Sequence, residues 1–343
     1  MGRFRLRRGL ASASVVLATV IGLLAPTLPV TAAANPGDPA VAAAMVEPAV
    51  VRIDTRIDYQ RAVGVGAGVV LSPEGQVLTN FHVVQGADTI SATVAGRSYP
   101  AHLVGYNRGE DVAVLQLQGA AGLPVAPIGD SALLVPGEPV VALGNANGTP
   151  APLTREFGTV TGFDRTVNAE DTLTGSTDEL SGLFEFAAPV RAGDSGGPVV
   201  NGAGQVVGLT TAASVNFRMG PGGRGFAIPI NRAMAIADQI RAGIPSDTVH
   251  IGPPTLLGVG VRTAPLRNRP GVFIQDVLPG GPAAAAGLRP GDILIALDGT
   301  PLDSATALTF VLDRHYPGDV VDLVWLDAAG RQQTGQARLI AGP

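Results

Sequence analysis

The chain has 343 residues, 46% of them hydrophobic and 15% charged, with a formal net charge of −5. That composition belongs to a globular chain long enough for two domains, and it excludes a disordered chain and the basic surface that nucleic acid requires. Cysteine is absent and all 23 cationic side chains are arginine, so cysteine nucleophiles, lysine Schiff bases, Ser–Lys dyads and thiolate zinc sites are excluded.

Arg3, Arg5, Arg7 and Arg8 precede the uncharged run GLASASVVLATVIGLLA, and small residues follow in VTAAAN. A positive start, an apolar centre and a small-residue exit predict an export signal over residues 1–34, cut after Ala32 or Ala34. The alternative is an uncleaved anchor, although the run is at the short limit for a bilayer span. NPGDPA then reads as a mobile lead-in.

From Val46 to Gly208 short apolar runs are broken by Gly, Pro, Asn and Asp, as in AVVRIDT, DVAVLQLQ and VVALGN. This spacing predicts an all-β barrel or sandwich. GVGAGVV (Gly64 to Val70) carries part of a dinucleotide fingerprint but continues as strand, and GNANGTP (Gly144 to Pro150) is a loop. After Pro229 the period changes, and apolar residues recur at helical spacing from Ile230 to Ile240. A first domain over 35–244 is therefore expected to close with a helix. Residues 245–254 have linker composition, and 255–343 form a second unit. That unit has strands in GVGV, GVFIQDVL, DILIALDG, DVVDLVWL and TGQARLI, a short helix at PAAAAGL and another opening at Asp303 or Ser304.

The serine in RAGDSGGPVV, Ser195, sits among three glycines. Gly193 to Gly197 also fits G-x-S-x-G, the turn that opens a helix in α/β-hydrolases. Here Pro198-Val199-Val200 reads as strand, and only His250 and His315 follow the serine. A histidine, aspartate, serine order has better candidates. His82 lies where a strand ends in GQVLTNFHVVQGA, and Asp111 opens the strand DVAVLQL. His102, in YPAHLVGY, is the competing base, read as a half-exposed strand residue; His250 and His315 are expected at the surface. Glu110 is expected on the opposite side from Asp111.

TNFHVV, EDVAVLQL, GDSGGPVVN and GFAIPI, in that order, resemble the HtrA (DegP-like) family of serine proteases, most of all its single-PDZ actinobacterial members. LLGVGV and GLRPGDILIALDG resemble the PDZ domain that such proteases carry. The resemblance implies a mainly β fold, a chymotrypsin-like double β-barrel followed by a small α+β PDZ domain. It implies an exported endopeptidase acting on unfolded or extended polypeptides, with Ser195 as nucleophile, His82 as base and Asp111 as its orienter. Gly193 and Ser195 would supply oxyanion N–H groups. Pro189 and Val190, with Thr210, Thr211 and Ala212, would line a pocket for small or medium apolar side chains. Peptide C-termini would bind at Leu257, Gly258 and Val259, with Leu308 on the facing helix beside Ala307 and Val311. A homotrimer is implied, though no aromatic residue precedes Tyr59 in the mature lead-in beyond residue 34. The alternative is a latent barrel serving as a peptide-binding envelope holdase or scaffold. Asp194 departs from many relatives and has no evident activating N-terminus, so its role stays open. No metal-binding spacing occurs, and neither a metal nor another cofactor is expected.

Overall fold

The computed structural model describes residues 37–58, 61–170, 177–211, 223–262 and 271–343. The export signal expected over 1–34 lies outside them. Asp38 accepts a hydrogen bond from Ala40 N (2.9 Å) and Pro39 takes the first helical position, so the first element among the described residues is α1 (Pro39–Val46). The sequence suggested a mobile lead-in; the Asp-Pro pair is a helix-start signal that outweighs it.

The first six strands are β1 (Val50–Ile57), β2 (Ala62–Val70), β3 (Gln76–Thr79), β4 (Thr89–Val94), β5 (Arg97–Asn107) and β6 (Val112–Leu117). Between β3 and β4 lies the single turn α2 (Phe81–Val84). All pairings are antiparallel, in the order β5-β4-β1-β2-β3-β6, and a β5–β6 pairing closes the barrel. Val69, Val77, Leu78 and Leu115 are fully buried in its strands.

A second closed barrel follows, built from β7 (Pro139–Gly144), β8 (Thr154–Glu170), β9 (Thr177–Phe186), β10 (Pro198–Asn201), β11 (Val206–Thr211) and β12 (Gly225–Pro229). Phe184, Phe186, Val199 and Val207 fill its interior. The expected helix is α3 (Ile230–Arg241), which buries Ile230, Ala233, Ala237 and Ile240, one stripe at helical spacing. Each buried isoleucine contributes about 1.5–3 kcal/mol.

The segment with linker composition docks instead of hanging free. Its two-residue strand β13 (His250–Ile251) pairs with Tyr106 and Gly105 of β5. His250, expected at the surface, is 2% exposed, with its ring stacked between Tyr106 and Tyr316. The partners lie far away in sequence, so composition could not reveal them. His315 is half-buried.

The C-terminal domain contains β14 (Thr255–Leu256), β15 (Val259–Arg262), β16 (Val272–Val277), α4 (Pro282–Ala286), β17 (Ile293–Leu297), β18 (Thr300–Pro301), α5 (Ala305–Leu312), β19 (Val320–Leu326), β20 (Gln332–Arg338) and β21 (Ile340–Ala341). Its main sheet runs β15-β16-β17-β19-β20, with β15 at one edge. Leu257, Ile274, Leu294, Leu308 and Trp325 join one core. Ser304 caps α5 by accepting from Ala307 N (3.1 Å), at one of the two positions the sequence suggested. The architecture is mainly β, two barrels followed by a small α+β domain. Among the described residues no helix is long and apolar enough to cross a membrane.

Candidate active site

The end of β3 and the start of β6 converge on one carboxylate. Asn80 precedes α2 in extended conformation, and its Nδ2 donates to the Asp111 carbonyl oxygen (2.9 Å). Phe81 N donates to the same oxygen (3.3 Å). The backbone of Asp111 is thereby fastened to the turn that carries His82. Asp111 adopts φ +54°, a left-handed conformation that aspartate tolerates better than most residues. Its Oδ1 accepts from His82 N (3.0 Å), and its Oδ2 faces His82 Nδ1 at 2.8 Å.

Thr211, at the end of β11, donates its hydroxyl to Asp111 Oδ2 (3.2 Å). The carboxylate is largely buried while the His82 side chain is 44% exposed. Because a carboxylate only accepts, this geometry places the proton on Nδ1 and leaves Nε2 as the acceptor nitrogen. Glu110 sits in the preceding turn and pairs with Arg232 (3.2 Å), away from Asp111.

Ser195 lies in a loop stitched to both barrels. Its carbonyl accepts from Ala67 N of β2 (2.8 Å), while Gly196 N donates to Thr210 O of β11 (2.8 Å). The glycines answer to close approach. A Cβ on Gly193 (φ +96°) would sit 2.8 Å from Ala146 Cα, and one on Gly196 (φ +80°) 2.2 Å from Ala67 O. A turn closes from Asp194 N to Arg191 O (2.9 Å) around Gly193. Gly193 N donates to no group among the described residues, although its carbonyl accepts from Asn145 N (3.0 Å).

Asp194, the departure noted in the sequence, is 1% exposed. Its Oδ1 accepts from Thr154 Oγ1 and Ala146 N (3.2 Å), and its Oδ2 from Arg191 N (2.9 Å). The bond from Arg191 comes from its backbone; the guanidinium turns to Glu156 (3.3 Å). The carboxylate therefore spans the turn beside Ser195 without any chain terminus.

The residues expected to line a substrate pocket are spread out. Pro189 is exposed, and Gly223 packs so closely that a Cβ there would lie 2.5 Å from Pro189 Cα. Val190 joins the second-barrel core. Thr210 is buried with its hydroxyl unpartnered among the described residues, and Thr211 is turned to Asp111 instead of to a pocket. Ala212 lies outside the described residues. No carboxylate stands at residues 189–190 or 210–211. His102 is exposed on β5, opposite Gln116.

In the C-terminal domain the carbonyls of Leu257 and Gly258 accept from Ala283 N and Leu278 N (both 2.9 Å). Their own N–H groups donate to nothing among the described residues. Gly258 is left-handed at φ +80° and leads into Val259, the first residue of edge strand β15. Leu308 is buried in the core, with Ala307 and Val311 beside it on α5. Sequence reasoning missed Asn80, Thr154 and the orienting contact of Thr211, whose partners become neighbours only in the fold.

The trypsin-like peptidase domain family matches residues 66–209, and the PDZ domain family matches residues 248–326. Serine protease PepD of Mycobacterium tuberculosis is 33% identical over 333 residues, covering 92% of this chain and 68% of that protein. Periplasmic pH-dependent serine endoprotease DegQ of Escherichia coli is 34% identical over 275 residues, covering 76% of this chain and 56% of its own. A solved HtrA-type protease, AlgW with a tripeptide, superposes with a TM-score of 0.50 at 28% identity, covering 89% of this chain and 98% of that one. The chain spans between 52% and 68% of the length of these and the other curated relatives reported alongside them.

Proposed function

The chain belongs to the HtrA family of trypsin-like serine proteases, and from that premise we propose that it is an extracytoplasmic serine endopeptidase acting on unfolded or extended polypeptides. The observation that carries the reading is the His82–Asp111 contact at 2.8 Å beside a Ser195 loop bonded to both barrels. Ser195 attacks the peptide carbonyl while His82 Nε2 takes its proton and later delivers it to the leaving amine. Asp111 holds the imidazole and stabilises its cation. The N–H groups of Gly193 and Ser195 receive the developing oxyanion, a contribution of about 2.7–4 kcal/mol for one such donor.

The pocket takes small or medium apolar residues, since no carboxylate at residues 189–190 or 210–211 could pair a basic side chain. At the C-terminal domain a peptide adds as a strand to β15, and its terminal carboxylate meets the N–H groups of Leu257 and Gly258. Solved structures of the HtrA-type protease AlgW with a tripeptide and with a decapeptide support peptide binding. The names of relatives called periplasmic support export, as does the composition of residues 1–34. A homotrimer belongs to the same reading, and light scattering at micromolar concentration tests it.

Hydrolysis of unfolded casein and labelling by a fluorophosphonate test the activity. Wild type should do both; Ser195→Ala and His82→Ala should do neither, and His102→Ala should match wild type. Activity should fall as the solution is acidified through the ordinary imidazole range, about pH 6.5. Equal loss in His102→Ala, or a flat profile down to about pH 4, defeats the assignment of the base.

A further inference from the structure

The end of α5 is held by the protease domain. Tyr106 donates its hydroxyl to Asp313 Oδ1 (2.6 Å), and Arg108 donates through Nε to Oδ2 (2.5 Å) and through Nη2 to Oδ1 (3.1 Å). The side chains of Arg108 and Asp313 are only 10% and 15% exposed, so this ion pair is shielded far more than a surface one. The linker completes the grip. His250 Nδ1 meets the Asp313 carbonyl (2.8 Å), and Thr255 Oγ1 donates to that of Leu312 (2.9 Å). These are last-turn carbonyls of α5, which have no partner inside the helix.

The same tyrosine and arginine reach the active site. The Tyr106 ring stacks on Phe81 with centroids 4.2 Å apart, and the Arg108 guanidinium lies over the Phe81 ring at 4.7 Å. Phe81 is the residue before His82, and its N–H is bonded to the Asp111 carbonyl. Arg108 itself opens the turn that ends at Asp111, whose N–H returns to the Arg108 carbonyl (3.1 Å). One carboxylate at the end of α5 thus anchors two side chains that clamp the neighbour of His82.

We propose that Asp313 is a positioning residue for His82, acting through Tyr106, Arg108 and Phe81. A chain of packed and charge-paired groups of this kind carries coupling between sites when it has two arrangements that a ligand distinguishes. Asp313 sits at the C-cap of α5, the helix that the PDZ reading places beside the β15 edge. The inference rests on the protease reading for its effect on turnover, but not for its effect on the histidine.

The test uses the full chain with a short peptide amide lacking a free C-terminus, which cannot occupy the groove. Asp313→Ala should lower kcat about threefold to thirtyfold with KM unchanged. Arg108→Ala should lose a similar factor, and the double variant no more than the larger single loss. Tyr106→Phe keeps the ring stack and removes only the hydroxyl, so it should fold and show a smaller loss of kcat. In parallel, the downfield proton resonance of His82 Nδ1–H should shift or broaden in Asp313→Ala. A folded Asp313→Ala protein with wild-type kcat and an unmoved resonance overturns the proposal; a lower melting temperature alone is the mark of a merely structural role and also counts against it. If the wild type hydrolyses nothing, the protease reading fails separately, and the resonance alone decides for or against the positioning role.

Discussion

Thr211 of the second barrel donates its hydroxyl to Oδ2 of Asp111, the residue just before β6 of the first, across 3.2 Å. The oxygen that faces His82 Nδ1 is therefore held from both barrels at once. A hydrogen bond to a charged group contributes about 1.5–3 kcal/mol. Thr211→Val keeps the shape and deletes the donor. We expect kcat to fall by roughly tenfold, the factor that about 1.4 kcal/mol represents, with KM little changed. A Thr211→Ser variant should recover most of it. Unchanged turnover in Thr211→Val would show that the contact is incidental to orientation of the imidazole.

Asp194 invites a second prediction. Its carboxylate is fully buried and receives two backbone N–H groups and the Thr154 hydroxyl, one of them from the residue that opens the Gly193 turn. Asp194→Ala leaves those donors unsatisfied and frees the turn that aims Gly193 N. The expected loss is that of one oxyanion donor, about 10²–10³ in kcat. Asp194→Asn retains an acceptor for one side of the network and should fall between. Peptide-amide kinetics with calorimetry on the same samples separates this from unfolding. A stable Asp194→Ala enzyme of full activity rejects the role.

Much of this site was legible because its signals are local. The end of β3 before His82, the strand opening at Asp111 and the glycines around Ser195 each follow from short stretches of residue pattern. The period change at Ile230 and the cap at Ser304 were legible for the same reason. What stayed hidden depends on distant pairs. Thr211 looked like a pocket wall because its strand neighbours the serine; only the fold shows its hydroxyl on Asp111. His250 looked like a linker residue because Pro and Gly surround it. Its stacking partners, Tyr106 and Tyr316, arrive from separate domains.

Thr210 carries a buried hydroxyl with no hydrogen-bond partner among the described residues, near the end of the second barrel's β11. Leaving such a group unsatisfied costs about 1–3 kcal/mol. Valine has nearly the same shape and no hydroxyl, so Thr210→Val should raise the melting temperature by a few degrees, about what 1 kcal/mol gives in a domain of this size. The backbone bonds of residue 210 to Gly196 and Gly197 are untouched by the change. A lower melting temperature would mean that the hydroxyl has a partner in the folded protein, such as an ordered water.

The domain junction gives the last prediction through its pH dependence. Burial, with the Asp313 carboxylate beside it, pushes the Tyr106 phenol far above its ordinary value of 10.0. A folded value above the unfolded one means that the unfolded chain loses this proton first. The stability tied to the protonated phenol is therefore complete below pH 10 and is lost progressively as the pH rises beyond it. The same proton is the one donated to Asp313 at 2.6 Å, so the loss falls on the contact between α5 and the first barrel. Thermal melts at pH 8, 9, 10 and 11 should show wild type losing more stability above pH 10 than Tyr106→Phe, which has no phenol to ionise. Asp313→Asn should reduce the difference between the two, because the carboxylate that disfavours the phenolate is gone. Parallel curves for wild type and Tyr106→Phe across that range would mean that Tyr106 ionises as an ordinary exposed tyrosine, and that the junction is not held through its hydroxyl.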